Sequence, residues 1–288
     1  MRLAVEVERF SWRYPFAQRD ALREVSLAIP AGEFTLVVGP NEAGKTTLML
    51  AIKGIIPHSL AGRHDGTVRV FGEPVAQKNA AVLARQVGYV FGDPDAQFTA
   101  LTVEEEILFG LENVGVPTSE IGARIRRASE LTMISDLLDK PPYDISGGEK
   151  QRVAIASVLA MDPEILILDE PTSMIDPLGK DLIVDICGSL KRDRRMTVIV
   201  VEHNVEAFAP LADRVVLVRD GRIEREGAPR TFFDDVESLI DCGVYPPQVT
   251  QVFARLQRRG LYAGPLPLTD EEGVAAGTRL LQGAGRWR

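Results

Sequence analysis

Gly39-Pro40-Asn41-Glu42-Ala43-Gly44-Lys45-Thr46-Thr47 spaces two glycines, a lysine and two hydroxyls in the pattern G-x-x-x-x-G-K-[ST]. That pattern suits the holding of phosphate oxygens. Gly39 and Gly44 let the backbone curl around an anion, and Asn41 and Thr47 fall within the same cradle. Lys45 is long enough to reach β- and γ-phosphates, and the Thr46 hydroxyl is placed to bind Mg²⁺. Matching acids lie downstream in Ile165-Leu166-Ile167-Leu168-Asp169-Glu170-Pro171. An acid at the end of a buried strand faces the crevice in which ligands of an α/β sheet sit. Asp169 is therefore expected to hold the Mg²⁺ shell, and Glu170 to orient and deprotonate an attacking water.

A second group of donors lies in Ile145-Ser146-Gly147-Gly148-Glu149-Lys150-Gln151-Arg152. A Ser-Gly-Gly turn ahead of an apolar helix offers backbone N–H groups, a hydroxyl and a helix N-terminus, again a phosphate-binding set. One nucleotide does not need two cradles. Ser146, Gly147 and Gly148 are thus expected to close on a nucleotide held by another subunit, which makes the chain half of a dimer.

These groups need rigid elements beneath them. Residues 33–38 form a short apolar, β-branched run ending at Gly39, as expected of a buried strand feeding the glycine loop. A helix is expected over 46–56, ended by Pro57, and alternation resumes over 67–91. Helical spacing covers 103–111 and 121–138, and another helix follows at 150–160. Residues 164–169 and 197–201 are nearly wholly apolar strands with a helix between, the mark of a parallel sheet covered on both faces. Strands near 215–218 and 222–224, turned by Asp220-Gly221, close the core. Tyr245-Pro246-Pro247 breaks a helical tail before 248–257, and fraying is expected over 284–288.

The 288 residues carry a formal charge of −8, which argues against nucleic acid or anionic lipid as a direct ligand. Cys187 and Cys242 are too few for a disulfide framework, and Cys187 reads as a buried, inert thiol. The N-terminus lacks the apolar core of a signal peptide, and no window has the length of a membrane span, so a cytoplasmic protein is expected.

The motifs at 39–47, 146–152 and 165–170, in that order, resemble the Walker A, signature and Walker B motifs of ABC-type ATPases, over about residues 1–230. The resemblance implies a P-loop NTPase (RecA-like) α/β core with a mostly parallel sheet, an antiparallel β subdomain, a helical subdomain at about 97–155 and a C-terminal extension at 231–288, a candidate for dimerisation. It also implies ATP and Mg²⁺ as cofactors. Residue by residue, Tyr14 matches the aromatic that stacks on adenine, and Asp176, in Met174-Ile175-Asp176-Pro177, the loop that meets the opposite subunit. His203 matches the switch histidine at the γ-phosphate, and joins Glu170 and Lys45 as an expected catalytic residue. His58 and His64 match nothing and are expected in exposed loops.

Gly92-Asp93-Pro94-Asp95-Ala96-Gln97-Phe98 and the segments 102–107 and 109–113 are similar to the ATPases of energy-coupling factor transporters. That narrower resemblance implies uptake of a vitamin or transition-metal ion through a transmembrane T component and a substrate-binding S component, with the ATPase peripheral on the cytoplasmic face of the membrane. Asp93, Asp95, Glu104, Glu105 and Glu106 are then candidates to receive basic coupling helices; for Glu104–Glu106 a solvated acidic helix start, favourable to the dipole, is the alternative. Two positions depart from the family: Glu42 stands where glycine is usual, and Gly92 where the Q-loop glutamine is usual. They are expected to weaken hydrolysis or coupling without loss of ATP binding, and they keep open a weakly active subunit beside an active partner. A soluble ABC ATPase acting on DNA or ribosomes is a further alternative, against which the short interval before the signature and the missing basic patch count.

Overall fold

The computed structural model describes residues 2–173, 175–193 and 196–284, with backbone alone at 283 and 284. Met174 and the expected fraying at 285–288 lie outside the described residues. In chain order the elements are β1 (Leu3–Arg13), β2 (Leu22–Pro30), β3 (Phe34–Val38), α1 (Lys45–Lys53), α2 (Ile55–His58), β4 (Arg63–Val70), β5 (Glu73–Pro74), α3 (Ala80–Gln86) and β6 (Val87–Val90). They continue with α4 (Val103–Asn113), α5 (Thr118–Leu131), α6 (Gly147–Ala160), β7 (Ile165–Asp169), α7 (Pro177–Asp193), β8 (Thr197–Val201), β9 (Arg214–Arg219) and β10 (Arg222–Gly227). The short α8 (Pro229–Phe232) and α9 (Val236–Asp241), then α10 (Gln248–Arg258) and α11 (Asp270–Ala284), follow.

Continuous apolar strands cannot face water on either side, and here every residue of β3, β6, β7 and β8 is buried. They pair in the order β10-β9-β3-β8-β7-β6, parallel except for β10. Alternate side chains point to opposite faces. Ile165 and Ile167 join the core beneath α1, together with Leu48, Met49 and Ile52. Leu166 and Leu168 join the core on the other face, with Ile183, Ile186 and Phe208. A second, antiparallel sheet, β2-β1-β4-β5, covers the α1 side. The helices α4, α5 and α6 pack on a separate cluster built from Val103, Ile107, Leu111, Ile125, Val153 and Ala156. Another small cluster, Val236, Phe253, Ala254, Leu266 and Ala276, holds the C-terminal helices together.

The register carries the functional consequence. Val37 pairs with Val201, Asp169 with Val201, and Val90 with Leu168. The chain therefore leaves β3, β8, β7 and β6 at one edge of the sheet, delivering Gly39, His203, Asp169-Glu170 and Gly92 to the same end.

Four local expectations change. The helix after the glycine loop stops at Gly54, whose φ of 81° is left-handed, rather than at Pro57. Residues 67–91 are not a continuous alternation, because Asn79 caps α3 by accepting from the N–H of Ala81. His58 and His64 are exposed but lie in α2 and β4 and not in loops, His64 stacked on Trp12 at 6.2 Å. The glycines at 147 and 148 form the first turn of α6 rather than a turn before it.

Candidate active site

The glycine loop is fixed by contacts that tolerate no side chain. A Cβ on Gly39 would stand 2.0 Å from the Val218 carbonyl oxygen, and one on Gly44 would stand 2.5 Å from that of Ala21. Both glycines also have positive φ, 147° and 102°. The loop opens on a cavity of about 280 Å³ lined by Tyr14, Asn41, Gly44, Lys45, Thr46 and Glu170, among others. Tyr14 sits at its margin, with its hydroxyl 3.1 Å from Thr47 Oγ1. The Lys45 amine is turned back onto the loop, donating to the carbonyls of Gly39 at 3.0 Å and Pro40 at 2.9 Å. Burial lowers the Lys45 pKa, opposed by Glu170, Asp169 and Glu202.

Asp169 is 6% exposed, and its Oδ2 accepts a 2.6 Å hydrogen bond from the Tyr89 hydroxyl. Its Oδ1 is buried and has no hydrogen-bond partner among the described residues. Burial raises the Asp169 pKa, and the hydroxyls of Tyr89 and Thr46 pull it back. A buried carboxylate oxygen without a donor is costly unless something else meets it. A divalent cation beside Thr46 is the group this donor set fits, hard oxygens being what Mg²⁺ takes.

Glu170 follows in left-handed backbone, φ 54°. For a residue with a Cβ that conformation is strained, and strain of this kind collects at functional sites. The Glu170 N–H donates to the Val201 carbonyl at 2.9 Å, which ties the position to β8. His203 Nε2 lies 3.0 Å from Glu170 Oε1 and 3.4 Å from the Lys45 amine, so the three expected catalytic groups do converge. Sequence reasoning missed the group that holds them. Glu202, 4% exposed, accepts from the Thr172 hydroxyl at 2.5 Å and from the His203 N–H at 3.0 Å, tying the loop after β7 to the end of β8.

The signature segment stands elsewhere in the same chain. Ser146 caps α6, its Oγ accepting from the Glu149 N–H, while Glu149 Oε2 accepts from both the Ser146 N–H and its hydroxyl, each at 2.7 Å. These bonds hold the Glu149 carboxyl below its ordinary range. Ser-x-x-Glu ahead of an apolar run was a legible capping box, and Glu149 could have been read from it. Gly147 is exposed and Gly148 buried. Asp176 lies beside Gly148, not in the cavity at Lys45; its Oδ1 accepts from the Gly179 N–H at 3.0 Å.

The departures resolve individually. Glu42 is exposed and left-handed, φ 60°; it stands on the lining of the cavity at Lys45, and its backbone takes a conformation suited to glycine. Gln97 does not approach the site; its Nε2 donates to Ser157 Oγ at 3.2 Å and so docks on α6. Most of the acid cluster is engaged within the chain. Asp95 pairs with Lys150 at 2.7 Å, Glu105 completes the capping box with Thr102, and Glu106 is buried, accepting from the N–H groups of Thr99 and Ala100. Cys187 is buried, as expected, and burial pushes its thiol up to about 12.

Known proteins are similar to this chain in sequence and fold. Residues 22–173 match the family described as ABC transporter. A protein of Pyrococcus horikoshii, provisionally named an ABC transporter ATP-binding protein, is 42% identical across 93% of this chain and 94% of its own. The energy-coupling factor transporter ATP-binding protein EcfA of Enterococcus faecium is 36% identical across 95% of this chain and 96% of its own. Among solved structures, CbiO1 of Clostridium perfringens, part of the ABC transporter complex CbiONQ, superposes with a TM-score of 0.73 at 32% identity, over 90% of this chain and 98% of that one. The ATP-binding cassette MJ0796, a dimer in a post-hydrolysis state bound to ADP and Pi, gives 0.69 at 25% identity, over 78% of this chain and 99% of that one. With the glycine loop, the Asp169-Glu170 pair and His203 gathered at one sheet edge, the chain belongs to the ABC transporter family as an ATP-hydrolysing, ATP-binding subunit.

Proposed function

We propose that this subunit energises uptake of a micronutrient, a vitamin or a transition-metal ion, through an energy-coupling factor transporter. It would lie on the cytoplasmic face of the membrane against a transmembrane T component and a substrate-binding S component. Among the described residues no helix is long and apolar enough to cross a membrane, so attachment falls to those partners. Support for the transport class comes from EcfA and CbiO1, whose names carry those systems.

In this reading two ATPase subunits face each other across the nucleotides. Gly39, Asn41, Gly44 and Thr47 cradle phosphates, Tyr14 supplies the platform for adenine, and Lys45 leaves the carbonyls of Gly39 and Pro40 to meet phosphate oxygens. Thr46 and Asp169 hold Mg²⁺, which when bound offsets charge on the phosphates. Glu170 takes the proton of the attacking water. His203 fixes the Glu170 carboxylate from 3.0 Å and is near enough to Lys45 to follow its movement. Ser146, Gly147 and Gly148 serve the nucleotide of the opposite subunit, with Asp176 beside them at the contact.

The observation that carries the reading is the convergence of Lys45, Glu170 and His203 beside the unpartnered Asp169 Oδ1. Its test is purification of the chain from membranes in mild detergent, with identification of what comes with it and assay of ATP turnover in the complex. Integral membrane proteins that stimulate turnover are expected. Recovery with nucleic acid or ribosomes and no integral membrane protein would count for the soluble class instead.

A further inference from the structure

We propose that Tyr89 is a positioning residue for the metal-holding carboxylate: its hydroxyl commits one oxygen of Asp169 to the protein and leaves the other aimed at the cation. This rests on the reading of Asp169 as a metal residue. The pair is buried, Tyr89 at 5% exposure and Asp169 at 6%, and the bond between them is short at 2.6 Å. β6 and β7 are neighbours in register, which sets the Tyr89 hydroxyl beside the end of β7. Phe91 packs on the Tyr89 ring at 4.7 Å, and Ile165 and Ile167 share its core.

A carboxylate in apolar surroundings has few ways to stand. With Oδ2 held by an O–H donor, the remaining freedom of Asp169 is small, and Oδ1 is the atom left without a partner. The phenol has one proton to give and a carboxylate oxygen only accepts, so the direction of the bond is fixed. Partners of this kind, behind a metal ligand, fix its orientation and commonly change metal affinity or activity by about 10- to 100-fold when removed.

Gly92 adds an independent constraint on the same geometry. A Cβ there would stand 2.9 Å from the carbonyl oxygen of Asp169 and 3.4 Å from Glu170 Cβ. The chain after β6 thus lies so close to the end of β7 that a side chain at 92 would have to shift it. Tyr89, from within the strand, holds the carboxylate by its hydroxyl.

The test uses full-length chain carrying Glu170→Gln, so that nucleotide is bound without turnover, and reads Mn²⁺ affinity by electron paramagnetic resonance with ATP present. ATP binding in EDTA is measured in parallel. Tyr89→Phe is expected to weaken Mn²⁺ by about tenfold while leaving metal-free ATP binding unchanged. A Mn²⁺ affinity within about twofold of the parent overturns the proposal, as does an equal loss in both arms, which a merely structural role would give. Asp169→Asn separates the two claims. If it weakens Mn²⁺ and Tyr89→Phe does not, only the positioning role fails; if it too has no effect, the metal-site reading fails with it.

Discussion

The glycine loop at 39–47 and the signature turn at 146–148 are both proposed to take phosphate, but their polar groups stand in opposite conditions. At the loop the strong groups are left under-used: Lys45 borrows carbonyls from its own backbone, and Asp169 Oδ1 has no partner among the described residues. At the turn the donors are already spoken for. The Ser146 hydroxyl and N–H both point at Glu149, 2.7 Å away. At the first half-site only the Lys45 amine has to leave the carbonyls of Gly39 and Pro40 for a ligand. The second has to be turned outward, exchanging a carboxylate for a phosphate, and what would bring that phosphate is the facing subunit. On the proposed reading, the difference would let one chain bind nucleotide alone and hydrolyse it only when paired.

The largest effect that bears on this contrast comes from Glu170. Removing a general base typically costs about 10²- to 10⁴-fold in rate. Glu170→Gln is therefore expected to lower turnover by that order while ATP still binds the isolated chain, checked by phosphate release beside equilibrium binding. Loss of binding as well would blur the division between holding and hydrolysing.

Next is Ser146→Ala. A hydrogen bond to a charged group contributes about 1.5–3 kcal/mol, so turnover of the paired subunits should fall by about 10- to 100-fold. Binding of ATP to the single chain should not move, because Ser146 is absent from the cavity at Lys45. Titration of the monomer with a fluorescent nucleotide decides this.

Glu149→Gln is a finer probe. Glutamine also completes a capping box, so α6 should keep its melting temperature while the charge facing the incoming phosphate disappears. ATP-driven pairing, followed by size-exclusion chromatography with Glu170→Gln in the background, is expected to need several-fold less nucleotide. An unchanged requirement would mean that the Ser146–Glu149 bonds are a helix cap and nothing more. The smallest effect belongs to Glu42→Gly. Relief of a left-handed, non-glycine backbone contributes about 1 kcal/mol, visible as a modest rise in unfolding midpoint.

Much of this was legible in the sequence because the strongest signals are local. A buried apolar strand, a glycine loop and a helix occupy consecutive residues around Lys45, and the strand ending in Asp169-Glu170 reads the same way. What stayed hidden are pairings set by sheet register. Tyr89 meets Asp169 across 80 residues, and Glu202 meets Thr172 across 30. No periodicity within one segment reports such partners. The acid cluster misled for a related reason: Glu105 and Glu106 look free in the sequence, but the fold uses them to satisfy the N–H groups ahead of α4. Gly92 was read as a missing glutamine. The contact with the Asp169 carbonyl makes it a packing requirement too, so Gly92→Gln should displace the loop and not simply restore what the family has there.

The claim that one chain's turn serves the other chain's loop is tested most directly by mixing two disabled chains. One carries Lys45→Ala with its signature intact; the other carries Ser146→Arg with its loop intact. Their mixed dimer contains one complete composite site, and neither parent contains any. The account expects ATP hydrolysis, with trapped nucleotide at one site per mixed dimer, to appear on mixing well above the sum of the parents. Activity that merely adds, at any ratio of the two chains, would contradict it.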